Sequence, residues 1–121
     1  MVRIIVCGSR TFNDKTYFNK KMDEILPSYL PDIEIISGKA KGADTLGMEY
    51  AKLHHIHLTT FPAQWNIYGK SAGYRRNAEM LNYAKKEIPV IIAFWDNKSH
   101  GTKHMIETAK KAGTIVHIIN Y

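Results

Sequence analysis

The sequence predicts a three-layer α/β sandwich, a five-stranded parallel sheet with helices on both faces. Three observations predict it. Five short runs rich in Ile, Val and Phe alternate with four stretches whose apolar residues recur every three or four positions. The runs 2–7 and 89–95 are almost continuously apolar, the pattern of strands covered on both sides. Strict strand–helix alternation demands right-handed crossovers, and these leave successive strands parallel.

The first strand is 2–7, interrupted only by Arg3. Asn13 or Asp14 can cap the helix behind it, because a short polar side chain accepts from the free N–H groups of a first turn. Phe18, Met22, Ile25, Leu26 and Tyr29 mark the buried face of that helix, and Pro31 stops it. Residues 33–36 form the second strand, and 37–42 turn into a helix running from about Asp44 to His54. Its inward candidates are Leu46, Tyr50, Ala51 and Leu53. The third strand is 57–61. A longer connection, 62–70, leads to a third helix capped by Ser71 and carrying Met80, Leu81 and Ala84. The stretch 89–95 is the most hydrophobic and reads as the central, fourth strand. The fourth helix, 101–112, ends at Gly113, where a left-handed residue closes many helices. Residues 114–119 complete the sheet. No repeat, linker or low-complexity segment divides the chain, so 1–121 reads as one domain.

Composition narrows the function classes. The chain has 121 residues, 45% hydrophobic and 23% charged, the values of an ordinary folded domain. No apolar run approaches the ~20 residues a bilayer requires, so no membrane partner is expected. Residues 1–6 reach Cys7 and Gly8 too soon for a signal peptide, and the single cysteine forbids an intrachain disulfide. A reducing, cytoplasmic setting is the expectation. Cys7 ends an apolar run and reads as a small buried hydrophobe. The formal charge of +6 points to phosphorylated or polyanionic partners.

In open parallel sheets ligands bind beyond the carboxyl ends of the strands, where the strand order reverses. All four strand-to-helix loops project from that edge. The first carries Gly8, Ser9, Arg10 and Thr11. The second runs from Ser37 and Gly38 through Lys41 and Gly42 to Asp44. Trp65 and Tyr68 lie in the third, and Asp96, Ser99, Gly101 and Thr102 in the fourth. Glycine, hydroxyls and positive charge thus share one rim. A phosphate is held by such a set: approachable N–H groups, a helix N-terminus and a cation.

Each candidate has two readings. Gly38 and Gly42 curl the backbone around an anion, or serve a tight turn alone. Gly101 and Thr102 bind phosphate, or Ser99 and Thr102 merely cap a helix. Arg76, with Arg75 and Asn77, sits in the first turns of a helix, where the dipole disfavours cations. It pairs with phosphate, or with Glu79 in a salt bridge. Trp65 and Tyr68 stack on a base or cover the core. Asp44 and Asp96 hold ribose hydroxyls or cap helices. His54, His55, His57, His100 and His104 have neither a Cys partner nor a His-Glu-x-x-His frame, so no metal and no cofactor is expected. Neither a Walker A loop nor G-x-G-x-x-G is present.

With these residues in view, the chain resembles the YspA-type branch of the SLOG superfamily over nearly its whole length. Four ordered motifs carry the resemblance. They are Gly8-Ser9-Arg10-Thr11-Phe12; Ser37-Gly38-x-Ala40-Lys41-Gly42-Ala43-Asp44; Trp65-x-x-Tyr68-Gly69-x-x-Ala72-Gly73-x-x-Arg76-Asn77; and Phe94-Trp95-Asp96-x-x-Ser99-x-Gly101-Thr102. The resemblance implies a Rossmann-like fold that binds nucleotides or nucleotide-derived ligands. The superfamily also holds LOG-type phosphoribohydrolases, which cleave a base from a nucleoside 5′-monophosphate, and DprA-type proteins, which bind single-stranded DNA. The segment Arg76-Asn77-Ala78-Glu79-Met80 is similar to the LOG motif Arg-Lys-x-x-Met. In the LOG motif Pro-Gly-Gly-x-Gly-Thr-x-Glu-Glu, the first glutamate position falls here on His104, while Lys98 and Ser99 replace two glycines. Glu107 lies one turn further on.

Binding or sensing of a phosphorylated nucleotide, or of an NAD- or ADP-ribose-derived molecule, is therefore the first expectation. N-glycosidic hydrolysis is the second, with Arg76 anchoring phosphate and Asp44, Glu79, Asp96 or Glu107 as the acid. Single-stranded nucleic-acid binding is the third. Self-association through Met48, Tyr50, Tyr74 and Tyr83 on outer helix faces, as a homodimer, is a further expectation.

Overall fold

A computed structural model describes residues 1–121. The strands are β1 (Val2–Gly8), β2 (Ile33–Ser37), β3 (His57–Thr60), β4 (Ile88–Trp95) and β5 (Ile115–Asn120). They form one parallel sheet in the order β3-β2-β1-β4-β5. The helices are α1 (Lys15–Ile25), α2 (Ala43–Leu53), α3 (Trp65–Tyr68), α4 (Ala72–Ala84) and α5 (His100–Lys111). The middle strand is β1, not β4. Hydrophobicity reports burial on both faces, which these two strands share, and carries no information about which neighbours pair.

Alternation along β1 explains its continuous apolar run. Ile4 and Val6 join the cluster holding Phe18, Met22, Tyr50 and Ala51 of α1 and α2. Ile5 and Cys7 join the opposite cluster, with Met80, Leu81 and Ala84 of α4 and Met105, Ile106 and Ala109 of α5. Helices thus cover both faces. No helix is long and apolar enough to cross a membrane.

Local details differ from the sequence expectation in instructive ways. Asp14 caps α1 by accepting from Tyr17 N at 3.0 Å. The connection 62–70 folds into α3 and a 3-10 turn, Gly69–Ser71. Ser71 is not a side-chain cap: its hydroxyl donates to the Tyr68 carbonyl at 3.0 Å and accepts from Arg75 Nε at 3.1 Å. Leu53 is exposed rather than inward. Tyr50 is buried, donating its hydroxyl to Asp23 at 2.6 Å, and Tyr83 is half-buried, donating to Glu34 at 2.7 Å. Neither belongs to an outer face, and of the aromatic residues suggested for self-association Tyr74 alone is exposed.

Sequence reading passed over Glu34, a carboxylate 1% exposed within β2. Its oxygens accept from Arg3 Nε at 2.9 Å, from the Tyr83 hydroxyl and from the Thr59 hydroxyl. Arg3 also lies 3.9 Å over the Tyr83 ring and donates to its carbonyl. Burial alone would raise the Glu34 pKa, but bonds from Thr59, Tyr83 and Arg3 outweigh it and hold the carboxyl below its ordinary value. The network ties β1, β2, β3 and α4 together.

Candidate functional site

The sheet order reverses at β1: β2 pairs on one side, β4 on the other. The loop after β1 enters α1 and the loop after β4 enters α5, helices that pack on opposite faces, so a crevice of about 380 Å³ opens between them.

Glycine starts the first wall for a steric reason. A Cβ on Gly8 would lie 2.3 Å from the Phe94 carbonyl oxygen. That closeness lets Ser9 N donate to Phe94 O at 3.0 Å, while the Ser9 hydroxyl accepts from Asp96 N at 3.2 Å. The two loops are thereby knitted together. The next N–H groups, of Arg10 and Thr11, meet no acceptor in the chain.

The facing wall is the first turn of α5. Asp96 Oδ1 accepts from Lys98 N and Ser99 N, each at 2.9 Å, and these bonds hold its carboxyl below the usual range. Ser99 caps the helix through Thr102 N at 3.4 Å. The N–H groups of His100 and Gly101 are left without acceptors. A Cβ on Gly101 would meet nothing within 4 Å, so the approach is open.

The second loop is used differently from the expectation. Ser37 Oγ donates to the Asp44 carbonyl at 3.0 Å and accepts from Lys39 N at 3.2 Å; Asp44 Oδ2 accepts from Ala40 N at 3.3 Å. The chain itself therefore occupies these donors. Gly42 has φ +80°, and a Cβ there would lie 2.3 Å from Ser9 O. Gly38 is pressed against the Arg76 guanidinium, 2.5 Å from where its own Cβ would be. Both glycines serve close packing between loops. Ser37, Gly38, Lys41 and Gly42 do not line the crevice, and Lys41 is exposed.

Asp44 does line it, although only 4% exposed. Burial pushes its carboxyl up to about 6, against the opposing pull of Arg76 and the N–H groups of Ala40 and Gly38. Arg76 does not pair with Glu79. Its Nη1 donates to Gly38 O at 2.7 Å and its Nε to Asn77 Oδ1 at 3.2 Å, leaving Nη2 unclaimed. Asn77 is buried and donates to the Gly101 carbonyl at 3.1 Å, fixing α4 against the first turn of α5. Asn77 also meets His104, whose pKa burial lowers.

Trp65 stands at the mouth with the Arg10 guanidinium 5.5 Å over its ring. Tyr68 lies outside, under Arg75 at 4.4 Å. Glu79 and Glu107 are exposed and off the crevice. The crevice adds residues the sequence does not assign to it: Lys70 and Tyr74 at the rim, the latter expected on an outer helix face, and Met80 and Met105 on the floor. The methionines carry the same helical spacing as core residues, so no local signal separates them. Cys7 is also on the floor, its thiol pushed up by burial and so kept neutral. No three His, Cys, Asp or Glu side chains gather as metal ligands would.

Fold and crevice together define a Rossmann-like α/β domain with an open cleft at its topological switch point. The model of the YspA, cpYpsA-related SLOG family matches residues 2–68, and the chain belongs to that family. Gene 61 protein of Mycobacterium phage D29 is 30% identical over 126 residues, an alignment covering 100% of this chain and 97% of the phage protein. No solved structure matches the chain.

Proposed function

We propose that the crevice binds a phosphorylated nucleotide, or a small molecule derived from NAD or ADP-ribose. The observation that carries this reading is the convergence of unclaimed donors among the lining residues: Arg10 and Thr11 N–H on one wall, Gly101 N–H on the other. Arg10, Lys70 and the free Nη2 of Arg76 add positive charge around them. Phosphate oxygens are acceptors of opposite charge to these groups. Trp65 and Tyr74 offer aromatic faces to a base, and Asp44 an acceptor to a ribose hydroxyl. Membership of the SLOG family supports the same ligand class. Thermal-shift titration with AMP, ADP, ADP-ribose, NAD and cyclic dinucleotides tests it. A ligand at about 100 times its Kd adds about 2.7 kcal/mol and raises Tm by several degrees. Arg10→Ala and Arg76→Ala should each reduce the rise; no rise with any of these compounds refutes the proposal.

Hydrolysis of an N-glycosidic bond is the second reading, favoured by one observation. Of the four candidate acids, Asp44 alone is buried within the crevice with its carboxyl up near 6. There it would take a proton from water as the water oxygen bonds to the anomeric carbon and the base departs with the bond electrons. Incubation with nucleoside monophosphates and NAD, followed by chromatography for free base, decides the matter. Release that persists undiminished in Asp44→Asn excludes this role.

A further inference from the structure

We propose that the crevice continues past Thr11 into a second, aromatic subsite, which takes the other nucleoside of a two-base pyrophosphate ligand. This rests on the nucleotide-binding reading of the first crevice and extends it. Thr11 lines both cavities. The second, an open depression also of about 380 Å³, is lined by Thr11, Phe12, Asn13, Asp14, Tyr17 and Tyr121.

Its wall is aromatic and fixed. Phe12 is 3% exposed and stacked on Phe94 with ring centroids 5.1 Å apart. Tyr121 leans on Phe12 at 4.6 Å, and Tyr17 meets it edge-on at 6.4 Å. Tyr121 nevertheless remains 47% exposed, an aromatic face offered to solvent beside a cavity. Flat apolar faces of this kind stack on a base of any identity. Polar groups at the edge are uncommitted: Asp14 spends Oδ1 on Tyr17 N, while its Oδ2 and the Asn13 amide have no partner.

The backbone between the two cavities gives the link. Thr11, the residue common to both cavities, and Arg10 beside it in the first have N–H groups unclaimed by the chain. A pyrophosphate over these donors places one nucleoside toward Trp65 and Tyr74, the other toward Tyr17 and Tyr121. A mononucleotide fills only one side. Each cavity is of the size that holds one drug-sized group, and the two together match a dinucleotide.

Calorimetric titration of the whole chain with diadenosine diphosphate and with ADP-ribose tests this, because the two probes share the pyrophosphate and one adenosine and differ in the second base. The expected result is affinity at least about tenfold higher for the two-base probe, and a loss in Tyr121→Ala that is much larger for the two-base probe than for ADP-ribose. In the unsubstituted protein, side-chain proton resonances of Tyr17 and Tyr121 should shift with diadenosine diphosphate and not with ADP-ribose, a readout independent of how the variant folds. Equal affinities, equal loss for both probes in Tyr121→Ala, or unmoved tyrosine resonances overturn the second subsite while leaving the first intact. Failure of ADP-ribose, AMP and diadenosine diphosphate alike to bind overturns both.

Discussion

Asp44→Asn should make the protein more stable at neutral pH. The Asp44 carboxyl has an ordinary pKa of 3.8 and stands at about 6 in the fold, so the folded chain holds its proton more tightly than the unfolded chain. Stability from this group is complete below 3.8 and is lost as pH rises through about 6. The gap of about two pH units, at about 1.4 kcal/mol each, costs about 3 kcal/mol once the group is ionised. Asparagine keeps an acceptor for Ala40 N and carries no charge. Urea unfolding of both proteins at pH 4 and pH 7.5 measures the effect. The variant's advantage should be small at pH 4 and grow to about 3 kcal/mol at pH 7.5. An advantage that does not grow with pH, or a variant less stable at pH 7.5, refutes the electrostatic account of the crevice floor.

Glu34→Ala should destabilise by about 3–5 kcal/mol in urea, because it leaves the guanidinium of Arg3 half in the core without its counter-charge. Gly42→Ala should cost at least about 2 kcal/mol: φ is +80° and the new Cβ would overlap the Ser9 carbonyl, so the melting temperature falls. Arg10→Ala should weaken nucleotide binding about tenfold or more, whereas Lys41→Ala, whose side chain is outside the crevice, should change the dissociation constant less than about twofold.

The ring of loops was legible because parallel topology alone sends every strand-to-helix connection to one edge. Gly8, Ser9, Arg10, Asp96 and Gly101 follow from that rule and do line the crevice. The role of Gly38 and Gly42 was not legible. Glycine before a helix signals both an anion loop and a close approach, and the deciding atoms are distant in sequence. The Gly38 carbonyl is claimed by Arg76, 38 residues away. Lys70 gives no sequence signal, and Tyr74 reads as an outer-face residue, because both follow α3, a single short helix inside a stretch that reads as loop. Glu34 escaped because a strand flanked by apolar residues gives no sign that Arg3, Thr59 and Tyr83 will converge on it.

Three carboxylates near the sheet receive three different treatments, and the contrast singles out Asp44. Glu34 is fully compensated by side-chain donors, so its burial is structural. Asp96 is held by the backbone N–H groups of its own turn. Asp44 is buried, and the Arg76 charge with the N–H groups of Ala40 and Gly38 offsets that burial only in part, so its carboxyl is pushed up to about 6. A fold selected for stability alone would place a neutral residue there. In the proposed nucleotide complex, a ribose hydroxyl would donate to Asp44 from the crevice side. Such a bond favours the charged form and lowers the pKa, so near pH 5 ribonucleotide binding should release a proton. Calorimetry in two buffers of different ionisation enthalpy reads that proton directly. A 2′-deoxy analogue that released as many would show that the ribose diol is not what Asp44 meets.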